Sequence, residues 1–180
     1  MNTKTLLGAA LFCCSLTAGA GNKYNVLVNG GIVHIRGAIT AQACGVSAES
    51  VAQIVDMGKF RSNQFADLGA YAPPVSFSIE LSGCSTAVSN TAAVTFLGVS
   101  DDRDPQVFSI EGGKHSATGV GLAIFDNAGN GVVPNAAPQP LVLLREGAML
   151  LRFTARYRAT AREVNGGSAN AWTWFAVSYQ

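Results

Sequence analysis

An all-β fold built as an immunoglobulin-like sandwich is what this sequence predicts, on three observations. Short runs rich in Val, Ile, Phe and Tyr alternate with polar residues at period two. Clusters of Gly, Asn, Asp and Pro separate those runs at intervals suited to turns. Seven or eight such strands make a sandwich rather than a single sheet, with little helix.

The run 75–81 is the clearest strand. Val75, Phe77, Ile79 and Leu81 fall on one face and Ser76, Ser78 and Glu80 on the other, so one side meets a core and the other meets water. The same pattern predicts strands over 51–57, 93–97, 120–125, 141–144, 149–157 and 171–179, with 37–44 as a further strand leading into Cys44. Residues 126–131, Asp-Asn-Ala-Gly-Asn-Gly, tolerate positive φ and read as a hairpin turn. Pro134, Pro138 and Pro140 mark a loop. A turn of helix is expected near 48–51 or 63–68.

Residues 1–20 have the layout of a secretory signal peptide: Lys4 near the start, an apolar run over 6–16, then Ala18-Gly19-Ala20 before the expected cut. Export leaves two cysteines, Cys44 and Cys84, in an oxidising compartment, and a disulfide between them is the expectation. Setting aside Lys4 from the 12 basic residues leaves 11 against 11 acidic ones, so charge implies neither a nucleic-acid nor an anionic-membrane partner. The 160 residues after the leader suit one domain with its own core. No run in them is apolar for the length a spanning helix needs.

Residues that carry chemistry are few. His34 and His115 are the only histidines, and no G-x-S-x-G elbow accompanies them. Asp101-Asp102-Arg103-Asp104 lacks the spacing and closing Glu of a calcium loop and reads as a solvated turn. Gly119-Val120-Gly121 opens a strand rather than a helix, so it does not suggest a dinucleotide site. No metal, cofactor or catalytic group is expected.

The two ends are unusual. Residues 22–36 form an extended arm ahead of the first core strand, with Leu27, Asn29, Gly31, Val33 and Ile35 on one face and Val26, Val28, Gly30, Ile32 and His34 on the other. An arm apolar on both faces is an aggregation hazard if left unpaired. It is either an edge strand of its own domain or a strand donated to a neighbouring molecule. At the opposite end Phe175, Val177 and Tyr179 alternate and the sequence stops on that strand, one strand short of a closed sandwich.

An overlong first arm and a missing last strand resemble the pilin subunits of chaperone-usher fimbriae, the type 1 family in particular. The residues that carry the resemblance are Val28-Asn29-Gly30-Gly31 with Val33-His34 and Gly37, Cys44, Gly58, the stretch 77–81 followed by Cys84, and Val94-x-Phe96-x-Gly98. They continue through Gly119-Val120-Gly121, Phe153-x-Ala155-x-Tyr157, Gly166-Gly167 and the penultimate Tyr179. What the resemblance implies is an incomplete immunoglobulin-like β-sandwich lacking its last strand and completed by donor-strand complementation. It divides the chain into a signal peptide (1–20), a donor-strand extension (21–36) and a pilin domain (37–180). It makes Leu27, Asn29, Gly31, Val33 and Ile35 the donor face, and Phe175, Val177 and Tyr179 the groove edge that pairs with a chaperone. The implied partners are a periplasmic chaperone, an outer-membrane usher and other pilin subunits. The implied route is export through the periplasm to a fimbrium at the cell surface.

Within that family, Gly21-Asn22-Lys23, Tyr157-Arg158-Ala159-Thr160 and the passage from Gly166-Gly167 to Trp174-Phe175 resemble minor fimbrin-like subunits that act at the rod base or end assembly. The alternatives are a major rod-forming pilin and a fimbrial adhesin, although 160 residues leave no room for a separate receptor-binding domain. Trp172 and Trp174 depart from the small or polar residues usual at their positions in related major subunits. They fall on the face of their strand opposite Phe175, Val177 and Tyr179. Either the loop 134–140 folds over them or they form a contact surface for a partner.

Overall fold

The structure, a computed structural model, describes residues 32–37, 42–137 and 142–180. The chain divides into two units, 1–38 and 39–180. In the first, Ile32 to Gly37 carry no regular secondary structure and are exposed. The expected signal peptide and the donor-face residues Leu27, Asn29 and Gly31 lie outside the described residues.

Among its described residues the second unit is all-β apart from one short α-helix and one 3-10 turn. Its strands, in chain order, are β1 (Gly45–Val46), β2 (Val75–Cys84), β3 (Thr91–Leu97), β4 (Phe108–Ser109) and β5 (Val120–Asp126). They continue with β6 (Gly131–Val132), β7 (Val142–Leu143), β8 (Gly147–Ala159) and β9 (Trp174–Tyr179). One sheet runs β1-β2-β8-β5-β4 with β6 beside β5, and the other runs β7-β3-β9. Every strand pairing is antiparallel.

Period-two patterning fixes which face of each strand turns inward. On β8, Leu151, Phe153, Ala155, Tyr157 and Ala159 are buried while Arg152, Thr154, Arg156 and Arg158 point away. Ile79 and Leu81 of β2, Ile124 of β5, and Leu151 and Phe153 of β8 meet Ala92, Val94 and Phe96 of β3 in one core, which closes the two sheets into a sandwich. Phe96 sits edge-on to Phe153 at 5.0 Å and to Phe77 at 6.2 Å, so aromatic contacts bridge the layers. The turn between β5 and β6 is built by Asp126. Its Oδ1 accepts the backbone N–H groups of Ala128 and Asn130, and its Oδ2 accepts the Asn130 side-chain amide.

Three expected elements differ. Residues 51–57 are not a strand: α1 (Ala48–Val51) runs into an irregular segment that turns where Gly58, at φ 75°, donates to Asp56. Met57 and Phe60 of this segment instead pack on a second cluster around Tyr157, with Phe60 edge-on to that ring at 5.7 Å. The alternation there reports side chains reaching down from a loop, not pleating. The strand expected over 37–44 falls partly outside the described residues, and its described part from residue 42 to Cys44 is not extended pairing; β1 begins only at Gly45, opposite Ser82. The last strand begins at Trp174 rather than 171, because the chain before it bonds elsewhere, Asn170 O accepting from Glu111 N at 2.7 Å.

Candidate functional site: the open side of strand β9

Strand β9 lies at the edge of its sheet. Among the described residues it pairs with β3 alone, in the register Tyr179 with Ala92, Val177 with Val94 and Phe175 with Phe96. The two strands bury their inner faces unequally. Ala92, Val94 and Phe96 are buried, whereas Phe175, Val177 and Tyr179, which touch the same core, are only half-buried. Val46 and Phe77 of the facing sheet are half-buried against that core as well. The core therefore comes to the surface along β9, beside a backbone edge that is unpaired among the described residues.

That side is held at one end by two covalent and polar ties. Cys44 and Cys84 are joined by a disulfide across a sequence separation of 40, which fixes the start of the unit to the end of β2. Tyr179 Oη donates to the carbonyl of Cys44 at 2.9 Å, linking the edge strand of one sheet to the cysteine beside the other. Desolvation pushes the Tyr179 phenol above its usual range, against a smaller opposing hydrogen bond from Gln42.

The arm residues expected to face such a groove, Val33 and Ile35, are exposed in their own unit. Trp172 and Trp174 are 71% and 68% exposed, so the described part of the loop after Pro134 does not cover them. In the register of β3 and β9, Trp174 stands beside Leu97 on the outer face. The pairing ends there: beyond Leu97 the chain turns at Gly98, and the Val99 carbonyl accepts from Ser109 N at 2.8 Å. Thr173 Oγ1 donates to Leu97 O at 3.0 Å, and the Trp172 indole N–H is held by the Glu111 carboxylate. Leu97 and Glu111 had no signal in the sequence, since only the strand register and a long-range side-chain hydrogen bond bring them to the tryptophans.

The positions weighed for chemistry are structural or isolated. His34 and His115 are exposed, and the His115 carbonyl accepts Ser168 N at 2.9 Å. Asp101 Oδ1 accepts the backbone N–H groups of Arg103 and Asp104, and Asp104 pairs with Arg158 at 3.1 Å. Among the described residues no group of three or more His, Cys, Asp or Glu is placed to hold a metal. A concavity of about 530 Å³ is lined by Ser76, Ser78, Asp126, Arg152, Thr154 and Arg156.

An edge strand with half-covered core residues is a site for protein association, and comparison with known proteins says of which kind. A family profile described as "Fimbrial protein" matches residues 33–180. The chain belongs to the fimbrial protein family. It is 38% identical over 178 residues to "Fimbrial subunit type 1" of Salmonella typhimurium, covering 96% of this chain and 95% of that one. It is 37% identical over 155 residues to "Putative fimbrin-like protein FimI" of Salmonella typhi, covering 86% and 88%. In fold it is similar to a subunit in the structure of a chaperone-usher pilus, with a TM-score of 0.66 at 23% identity over 86% of this chain and 98% of that one. The protein is thus a structural fimbrial subunit with an immunoglobulin-like pilin fold, and its place is a surface fimbrium.

Proposed function

We propose that this subunit joins its neighbours by donating the arm 21–36 to the open side of β9 on the next subunit, with Leu27, Asn29, Gly31, Val33 and Ile35 turned into that subunit's core. The observation that carries the reading is the unequal burial across the β3–β9 pair, with β9's inner residues half-covered beside a free edge. Strand addition supplies both the missing backbone partners and the missing apolar cover. Before assembly the same edge, Phe175, Val177 and Tyr179, pairs with a periplasmic chaperone, and exchange takes place at an outer-membrane usher. A donor strand is required for full stability, since covering Leu27, Val33 and Ile35 contributes about 1.5–3 kcal/mol each, on the scale of a domain's whole stability.

The role within the fimbrium is that of a minor subunit at the rod base or at the end of assembly. The likeness to a fimbrin-like protein and the residues around Trp174 support it. The rod-building alternative draws on the equally close likeness to a type 1 subunit. One experiment separates them: the complex of this subunit with its chaperone is challenged with a peptide of another subunit's arm. Resistance to displacement marks a terminating subunit and displacement a rod-building one. A chaperone-free mature monomer that unfolds cooperatively at high temperature, with its arm cleaved away, would overturn strand donation itself.

A further inference from the structure

The donated-strand reading uses one face of the arm and leaves the other unexplained. Donor residues Val33 and Ile35 turn inward, so Ile32 and His34 must turn outward, and Val26 and Val28 continue that outward face in the sequence. Ile32 is 87% exposed in the free arm. A strand added to a sheet whose outer side meets only water would carry polar residues there. This one carries Ile, Val and His.

The acceptor edge offers an unpartnered apolar shelf on that same side. Trp174 stands on the outer face of β9 beside the exposed Leu97 of β3, and Trp172, also exposed, lies in the chain leading into β9. The shelf begins at the strand whose other edge is open, so an added strand places its outward side chains next to the indoles. The Glu111 carboxylate holds the Trp172 N–H, which leaves the ring faces available and sets their orientation.

Resting on the strand-donation reading, we propose that the outward face of a neighbouring copy's arm, Ile32 and His34, packs on Trp172 and Trp174. The tryptophans then read the arm's outer face and discriminate between donor subunits. We take the arm to add antiparallel to β9, as β3 does, which puts the end of the arm near Ile32 and His34 against the start of β9. Val28 is carried toward Ser178, away from the indoles.

The test is a double-mutant cycle with the full mature subunit and fluorescent peptides of residues 22–37, read by anisotropy. An Ile32→Ser/His34→Ser peptide should bind the wild-type subunit about fivefold more weakly than the wild-type peptide. On a Trp172→Thr/Trp174→Thr subunit the two peptides should bind alike, because the partner surface is gone. Equal binding of both peptides to the wild-type subunit overturns the proposal, as does a loss that is fully additive with the tryptophan changes. A peptide sensitive at Val28→Ser but not at Ile32→Ser overturns it too. The peptide variants leave the subunit untouched, so the comparison on the wild-type subunit does not depend on how the double Trp variant folds. A Val33→Ser/Ile35→Ser peptide monitors the underlying reading: if it binds as well as wild type, strand donation fails, and the outer-face contact with it.

Discussion

The phenol of Tyr179 donates a hydrogen bond to the carbonyl of Cys44 at 2.9 Å, across 135 residues of chain. It ties the edge strand β9, paired among the described residues with β3 alone, to the half-cystine that anchors the other sheet. The same residue turns its ring into the core opposite Ala92. One side chain thus closes one end of the open side, and the remaining inner residues of β9, Val177 and Phe175, lead away from it toward the tryptophans.

Tyr179→Phe keeps the ring and removes the donor. It should cost about 1 kcal/mol, the usual net worth of one hydrogen bond, read as a lower urea midpoint at neutral pH with unchanged slope. A pH effect accompanies it. Burial raises the folded-state pKa of Tyr179, and of Tyr157, where desolvation is again the first cause and Asp56 the second. The folded protein therefore holds these protons more tightly than the unfolded chain. Stability is full below the unfolded phenol's pKa, about 10, and declines as pH rises through the folded values. The variant should show a shallower alkaline decline than wild type.

Removing the disulfide by Cys44→Ser/Cys84→Ser reopens a loop with a sequence separation of 40 in the unfolded state. The chain-entropy relation gives a loss of about 4 kcal/mol. The matching measurement is the urea midpoint before and after reduction of the wild-type protein, which should fall to that of the double variant. Two free thiols in the exported protein, counted by mass spectrometry, would contradict the expectation.

Phe175 and Phe153 should respond differently to truncation. Phe153 is buried between Phe77 and Phe96, with ring centroids at 5.5 and 5.0 Å, so Phe153→Ala should cost about 3–5 kcal/mol and impair folding outright. Phe175 touches Phe96 at 6.4 Å and is half-covered, so Phe175→Ala removes less of the existing core. Its larger effect should appear in arm binding, where the peptide of residues 22–37 loses a contact that it would itself have buried. A Phe175→Ala subunit that binds the peptide as wild type does would detach β9 from the proposed assembly site.

Much of this was legible in the sequence, for reasons that particular residues show. Alternation in 75–81 became β2 because Phe77, Ile79 and Leu81 have a core to face and Ser76 and Ser78 have water. The same alternation failed over 51–57, where Gly58 and Asp56 turn the chain and Met57 drops into the cluster around Tyr157. Period two records burial and not hydrogen bonding, so a loop that lies over a core can imitate a strand. At the open side, Phe175, Val177, Tyr179 and both tryptophans could be assigned to faces from parity alone. Their partners Leu97, Glu111 and the Cys44 carbonyl could not, since those depend on register and on long-range contacts.

Two adjacent glycines should behave oppositely. Gly167 lies where the chain at 165–168 pairs with 116–118, and a Cβ there would sit 2.4 Å from Ala117 N and 2.6 Å from His115 O. Both obstacles are backbone, held by Ala117 N to Ser168 O at 2.8 Å and Ser168 N to His115 O at 2.9 Å, so the methyl group cannot be accommodated by turning a side chain. Gly167→Ala should therefore cost about 1–3 kcal/mol in urea unfolding, as overpacked sites do. It should also loosen the chain that leads into Trp172. Gly166 has nothing within 4 Å of the same construction. Gly166→Ala should leave stability within about 0.5 kcal/mol of wild type, as an exposed substitution without contacts does. If the two variants unfold at the same urea concentration, the close pairing of 116–118 with 165–168 is not what holds this end of the subunit.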